Sequence, residues 1–557
     1  MEPIQITTER LDDIPLLYAL LEQMHIRPLI DQCFPAHGNW TGLSPGMIVQ
    51  LWLTYIVSQA DHRLKYAETW AATRCEMLSA LCGHPVTPRE LNDDRLASIL
   101  EALSQDAAWQ DVQTMLTQGL VLTYTLPTDT LRHDSTTVST YSALDSDGLV
   151  QVGHSKDHRQ DLGQIKVMLS TLDPLALPVG VSVLDGSRAD DPLYIPAIQD
   201  VRATLGAGLL HVGDSKMAAR DIRAHIASHG DYYLCPLPAL QREDWDTYLA
   251  PVRRGEVELL PLPRPLPNGT MEIYASGYTR ETTCTVDTYT WTERQFVVKS
   301  VAYAASQEQA FRTRLARARA QLDQLLAAKQ GKSCPSTLAD LEATVTDIVT
   351  TAGVDSVLHV TCHETVTTRT IRAYKDRPTR TVPVSTFSLT YQIDETRLAQ
   401  VIDEFGWRVY ATQAPPDRLS LAQAVQEYRS EYRIEHSFSR LKGQSLSLHP
   451  MYLQRDDHRV GLVRLLSLAL SLLSLLQYVV RRELTQTNQE LTGLYGQITT
   501  NRPTSERLLR TFDNITLTII KTEHETIRHT TPLTSVQRTI LTVLKIHPDV
   551  YQFQQPT

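Results

Sequence analysis

The chain has 557 residues, a formal net charge of −10, 42 % hydrophobic and 21 % charged residues. This composition is that of a globular protein of roughly three or four domains, and it excludes disordered, collagen-like and low-complexity classes. Seven cysteines without a C-x-x-C pair exclude a disulfide framework and a zinc ribbon and fit a reducing cytoplasm.

The N-terminus, MEPIQITTERLDD, is acidic where an export signal needs basic residues. Residues 1–128 read as a helical domain, because LDDIPLLYALLEQM, PGMIVQLWLTYIVSQ and RELNDDRLASILEALSQ repeat apolar residues every three or four positions. Asn92 or Asp93 supplies a helix cap. Over 129–237 the pattern changes to three strands, LRHDSTTVSTYS, IKVMLSTL and PVGVSVLDG, then helix, strand, helix and strand, a mixed α/β unit. Residues 238–385 read as a β-rich inserted domain interrupted by one helix, QAFRTRLARARAQLDQLLAAKQ. Regular structure returns over 386–482 with the strand FGWRVYATQ and one long helix over 419–443. Residues 465–480, LLSLALSLLSLLQYVV, fall short of the ~20 residues needed to span a bilayer and read as a buried helix, with no membrane partner. The tail, 483–557, is Thr-rich and weakly patterned.

Three carboxylates stand where an α/β core can bring them together: Asp134 on the first strand, Asp214 just after a short apolar strand, and Glu435 on the long helix. Tyr428, Glu435 and Lys442 are each seven residues apart, nearly two helical turns, which puts them on one face. Phosphodiester cleavage needs in-line attack and neutralisation of growing charge. Carboxylates that hold two Mg²⁺ ions meet that need, and Lys442 adds a point charge for a phosphate oxygen.

The segments HDSTTVS, VGDSKMAA and YRSEYRIEHSFSRLKG together resemble the DDE transposases of bacterial insertion sequences, within the group whose third carboxylate lies in a Y-x2-R-x3-E-x6-K signature after a β-rich insertion. GHSKDHRQDLGQIKVML and ELNDDRL add to the resemblance, which extends over most of the chain up to the tail. It implies a ribonuclease H-like mixed sheet flanked by helices, with catalytic, metal-holding Asp134, Asp214 and Glu435. It implies two Mg²⁺ ions, with Mn²⁺ as a substitute, and a homodimer on double-stranded DNA. The substrates would be the terminal inverted repeats and target DNA, in a cytoplasmic, nucleoid-associated setting. Tyr428, Arg433 and Lys442 would contact DNA, as would His154, Lys156, His158 and Arg159, whose plainer reading is a polar hairpin edge. The sequence departs from the signature at Glu431, where the group has Arg, and this puts a DNA-hairpin intermediate in doubt.

Plainer readings stand beside these. Asp185, Asp190, Asp191, Asp93 and Asp94 read as helix N-terminal groups, and His133 as a structural residue on the face opposite Asp134. The arginines 312, 314, 317 and 319 read as a solvated face beside an apolar stripe. Tyr289 and Trp291 fit strand packing better than base stacking. The alternatives to a transposase are a non-catalytic DNA-binding remnant or regulator of the element, and a metal-dependent nuclease that cuts without joining.

Overall fold

The computed structural model describes residues 4–144, 148–157, 159–266, 269–326, 335–373 and 378–553. Its organising element is a nine-stranded sheet. In chain order the strands are β1 (Thr130–Thr140), β2 (Gly163–Leu172), β3 (Leu177–Asp185), β4 (Leu210–Gly213), β5 (Tyr232–Pro236), β6 (Leu260–Pro265), β7 (Met271–Val286), β8 (Tyr289–Ser300) and β9 (Trp407–Thr412). They lie in the spatial order β3-β2-β1-β4-β5-β9-β8-β7-β6. Only β1–β4 and β4–β5 pair in parallel; β3, β2 and β1 form an antiparallel meander. The result is a mixed α/β architecture. β2 is buried along its whole length, as a strand covered on both faces must be.

The structure differs from the expected self-contained insertion over 238–385. Strands β6, β7 and β8 do not form a separate body. β9 pairs antiparallel with both β5 and β8, so these strands extend the central sheet. An open edge at β5 would leave backbone groups unpaired, and the returning chain closes it. What projects is the shorter stretch 301–405: a helix Val301–Leu325, a helix Leu338–Ala352 and a long hairpin of Leu358–Ile371 with Arg380–Ile393. Residues 386–393 therefore belong to the projection rather than to the core. Phe311, Leu315, Ala318 and Leu322 pack on Leu341, Val345 and Val349, and Arg312 pairs with Glu308. The stripe is thus a small core of its own.

We label the helices that position the site α1 (Asp93–Leu103), α2 (Tyr194–Leu205), α3 (Arg220–Ser228), α4 (Leu421–Arg429), α5 (Tyr432–Lys442) and α6 (Asp456–Gln486). Asn92 caps α1 through a bond from Arg95 N at 3.0 Å, with Asp93 and Asp94 in the first turn, where their charge favours the dipole. Helix α6 contains the apolar run. It is long and apolar enough to cross a membrane, yet 89 % of that window is buried. It packs between α1 and β3. At the α1 contact, a Cβ on Gly461 would stand 2.1 Å from the Leu100 carbonyl oxygen, so only glycine permits this approach.

The tail is not an appendage. Thr516–Lys521 pairs antiparallel with Gln5–Arg10, and the Tyr551 hydroxyl donates to the Asp12 carbonyl at 2.9 Å. Both ends of the chain therefore close on the N-terminal helices.

Candidate active site

Parallel pairing of β1 with β4 runs from Thr130–Leu210 to His133–Gly213. Asp134 is the next residue of β1 and Asp214 directly follows β4, so the register sets them side by side. Each is then fixed separately. Asp134 Oδ1 accepts from Ser135 N at 2.7 Å and from Lys156 Nζ at 3.3 Å. Asp214 Oδ1 accepts from the Tyr194 hydroxyl at 2.7 Å and from Lys216 N at 2.8 Å. A side chain at Gly213 would stand 2.7 Å from Met217 Sδ and 3.1 Å from the Tyr194 ring, so glycine lets both close over the turn. Burial, partly offset by Lys156 and reinforced by Asp214, pushes Asp134 up to about 6.

Beneath Asp134, the His133 ring bonds Ser170 Oγ at 2.8 Å and His211 Nδ1 at 2.9 Å. Burial, with His211 beside it, holds His133 well below its ordinary basicity. This buried network joins β1 to β2 and β4, and His133 also borders the cavity described below.

The single helix expected over 419–443 is two. The amides of Ser430, Glu431, Arg433 and Ile434 each bond the carbonyl three residues back, and Ser430 Oγ donates to Gln426 O at 3.0 Å. This tight 3₁₀-type turn separates α4 from α5 and breaks the seven-residue row. Tyr428 sits on α4 against Tyr410, ring centroids 4.8 Å apart. Glu435 and Lys442 remain on α5.

Asp134, Asp214, Tyr428 and Glu431 line one small cavity with Arg132, His133 and Ile434. Glu431, which the sequence marks only as a departure, thus faces the aspartates. Burial raises its carboxyl, with Asp134, Glu435 and Asp214 adding repulsion and Tyr428 lowering it. Glu435 lies one turn further on the exposed side of α5 and is not among the lining residues. Among the described residues, the only acid, His or Cys trio with ligand atoms mutually within 4.8 Å is Glu101, Asp457 and His458. There Arg455 already donates to Glu101 at 3.2 Å and to Asp457 at 3.0 Å.

The remaining predicted residues divide. Lys156 Nζ reaches Asp134 and also donates to the Ser135 carbonyl at 2.6 Å. Lys442 Nζ is anchored at the β1 edge by Asp157 Oδ1 at 2.6 Å and Thr136 Oγ1 at 2.9 Å. Arg433 turns away, to Asp173 at 3.5 Å. Arg159 pairs with Asp161 at 2.8 Å, His154 is exposed, and His158 lies outside the described residues.

Asp190 overturns its assignment as a cap. It makes no capping bond; it accepts from Lys166 Nζ and Ser135 Oγ, both at 2.8 Å, and lies 4.0 Å from Lys156. Burial works to raise its carboxyl, but Lys166, Ser135 and Lys156 outweigh it and hold the group below its usual range. Lys156 therefore bridges Asp134 and Asp190. The sequence carries no local signal for Lys166 or Tyr194, which read there as ordinary strand and helix residues. Trp291 donates to the Tyr233 hydroxyl at 2.9 Å and is buried, as strand packing requires.

The acidic ligand atoms in the cavity are carboxylate oxygens, flanked by a tyrosine hydroxyl; the His133 ring nitrogens are both taken by Ser170 and His211, and no thiol lines it. That donor set fits a hard divalent cation such as Mg²⁺. Burial, with mutual repulsion added, raises Asp134 and Glu431, and a bound cation would favour their charged forms.

Comparison with known families places these residues in context. The family described as "Transposase DDE domain" matches residues 126–472, more than half of the chain, and the chain belongs to that family. A domain of unknown function (DUF4277) matches residues 6–116. Comparison with curated proteins returns no match. Among solved structures, a cryo-EM piggyBac transposase synaptic complex with hairpin DNA aligns with a TM-score of 0.26 at 9 % identity, over 53 % of this chain and 60 % of that one. The chain thus spans less than two thirds of that relative.

Proposed function

We propose that the protein cuts DNA at the terminal inverted repeats of its own element and joins the freed 3′-hydroxyls to target DNA. Asp134, Asp214 and Glu435 would hold the metal. The observation that carries this reading is the parallel register that sets Asp134, midway along β1, beside Asp214, just past the end of β4, with the Glu435 helix packed against β1, in a chain of the DDE transposase family.

When bound to these carboxylates, a pair of Mg²⁺ ions supplies activation of the attacking oxygen and charge neutralisation at the leaving oxygen. Mn²⁺ suits the same oxygen donors. The protein's own groups do the rest. Tyr194 and the Lys216 amide hold one Asp214 oxygen in place. Lys156 balances the charge of Asp134. Lys442, held at the strand edge by Asp157, presents a fixed positive charge where α5 meets β1. In the first step a water oxygen bonds to phosphorus as the 3′-oxygen leaves. In the second, that 3′-hydroxyl bonds to a target phosphorus and displaces a target 3′-oxygen. No protein–DNA bond forms. Holding two ends at once favours a homodimer on DNA, and the helical region 1–128 would read the ends.

The test is cleavage of end-bearing duplex under titration with Mg²⁺. Asp134→Asn should abolish scission and preserve end binding. No scission by the native protein at any metal concentration would instead make it a DNA-binding regulator. Scission without joining in a strand-transfer assay would make it a nuclease.

A further inference from the structure

On the far side of α5 from the buried core lies a groove of about 1220 Å³. Its walls are α5, the second half of α6 and residues 501–506, with the turn 174–176 at one end. Five arginines line it, 433, 440, 481, 482 and 502, against a single carboxylate, Glu506. This is a local reversal of charge in a chain of net −10.

The arginines are unequally compensated. Arg440 is paired with Glu506 at 2.8 Å and Arg433 with Asp173 at 3.5 Å. Arg481 and Arg502 have no carboxylate partner among the described residues. Arg481 donates instead to the Pro503 carbonyl at 2.8 Å. Burial, with Arg502 and Arg440 close by, makes its charge less favourable. Serines, glutamines and an asparagine fill the spaces between. Together these are the donors that contact a phosphodiester backbone.

Helical geometry ties the groove to the catalytic strip. At 3.6 residues per turn, Glu435 and Lys442 fall within about 20° of one another on α5, with Glu431 just before its first residue. Ile434, Phe438 and Leu441 point to the core. Tyr432, His436 and Ser439 continue the exposed arc directly into the groove. One helix therefore carries the acidic strip on one flank and the basic groove on the other.

We propose that this groove holds the phosphate backbone of the DNA as it runs on past the scissile phosphate, a sequence-independent tether beside the cutting site. The inference deepens the transposase reading and rests on it for the identity of the DNA.

The test uses the full-length chain and a fluorescein-labelled duplex of mixed sequence, with binding measured across a salt series. Arg502→Ala should weaken binding several-fold and flatten the slope of log Kd against log salt by about 0.9, the value of one lost phosphate contact. Ser439→Glu, an exposed site on the groove wall, should weaken binding at least as much, and it remains informative if the arginine variant misfolds. Unchanged affinity and slope in both variants would overturn the groove. So would displacement of the native protein's DNA by poly-glutamate as readily as by unlabelled duplex. Cleavage keeps the two readings apart. If the native protein cuts ends and both variants bind and cut as it does, the groove alone fails. If the native protein never cuts but both variants lose DNA, the groove stands and the transposase reading fails.

Discussion

Replacing Asp134 by Asn isolates the tension built into the site. The two side chains have the same shape, and Asn Oδ1 still accepts from Ser135 N and Lys156 Nζ, as the aspartate does. What disappears is a half-buried negative charge beside Asp214. The carboxyl is raised from 3.8 to about 6. The folded state therefore binds more protons than the unfolded state between those values, and this group's contribution to stability falls as pH rises through that window. Two pKa units amount to about 3 kcal/mol. Asp134→Asn should therefore make the metal-free protein more stable by up to about 3 kcal/mol at pH 8 and by nothing at pH 4. Urea unfolding in a chelator at both pH values measures this. Mg²⁺ should raise the melting temperature of the native protein, because a ligand that binds only the folded state stabilises it, and should do so much less for the variant. A variant less stable than the native protein at pH 8, or shifted by Mg²⁺ to the same extent, would refute the account of strained carboxylates awaiting a cation.

Three further outcomes test the architecture. Glu435→Gln should abolish cleavage, whereas Glu431→Gln should weaken divalent-cation affinity by roughly 10–100-fold, as loss of a supporting group does; the reverse ranking in metal titrations would make Glu431 the third ligand. Arg223 and Glu293 are fully buried against each other, joining α3 to β8, so Arg223→Met should destabilise the fold by about 3–5 kcal/mol by stranding a charge. A urea midpoint within error of the native one would show that β8 is not held to the core there. Gly461→Ala should cost at least about 1–3 kcal/mol through overpacking against Leu100, read as a lowered melting temperature with unchanged far-ultraviolet circular dichroism.

The local pattern of the chain was enough to place the three candidate carboxylates on their elements. Alternating β-branched residues mark the strand that carries Asp134. A short apolar run ending in Gly213-Asp214-Ser215 marks the second strand end. The apolar spacing of Ile434, Phe438 and Leu441 marks the helix that carries Glu435. These signals are legible because each is a repeat in the hydrogen bonding and burial of neighbouring residues. The mixed α/β class followed from the same signals.

Contacts between residues far apart in sequence left no such trace. Whether Tyr428 and Glu435 share a helix depended on a three-residue hydrogen-bonding turn at Ser430, which composition does not announce. Asp190 looks like a helix cap until Lys166 and Lys156, on other elements, are brought beside it. The strands at 260–300 look like a separate domain until β9 returns from residue 407 to close the open edge of β5. Glu431 reads as a mismatch in a signature, and only folding sets it in the cavity of the two aspartates. Periodicity records which face of an element is buried, but the partner on that face is chosen by unpaired edges and uncompensated charges that meet only when the chain is folded.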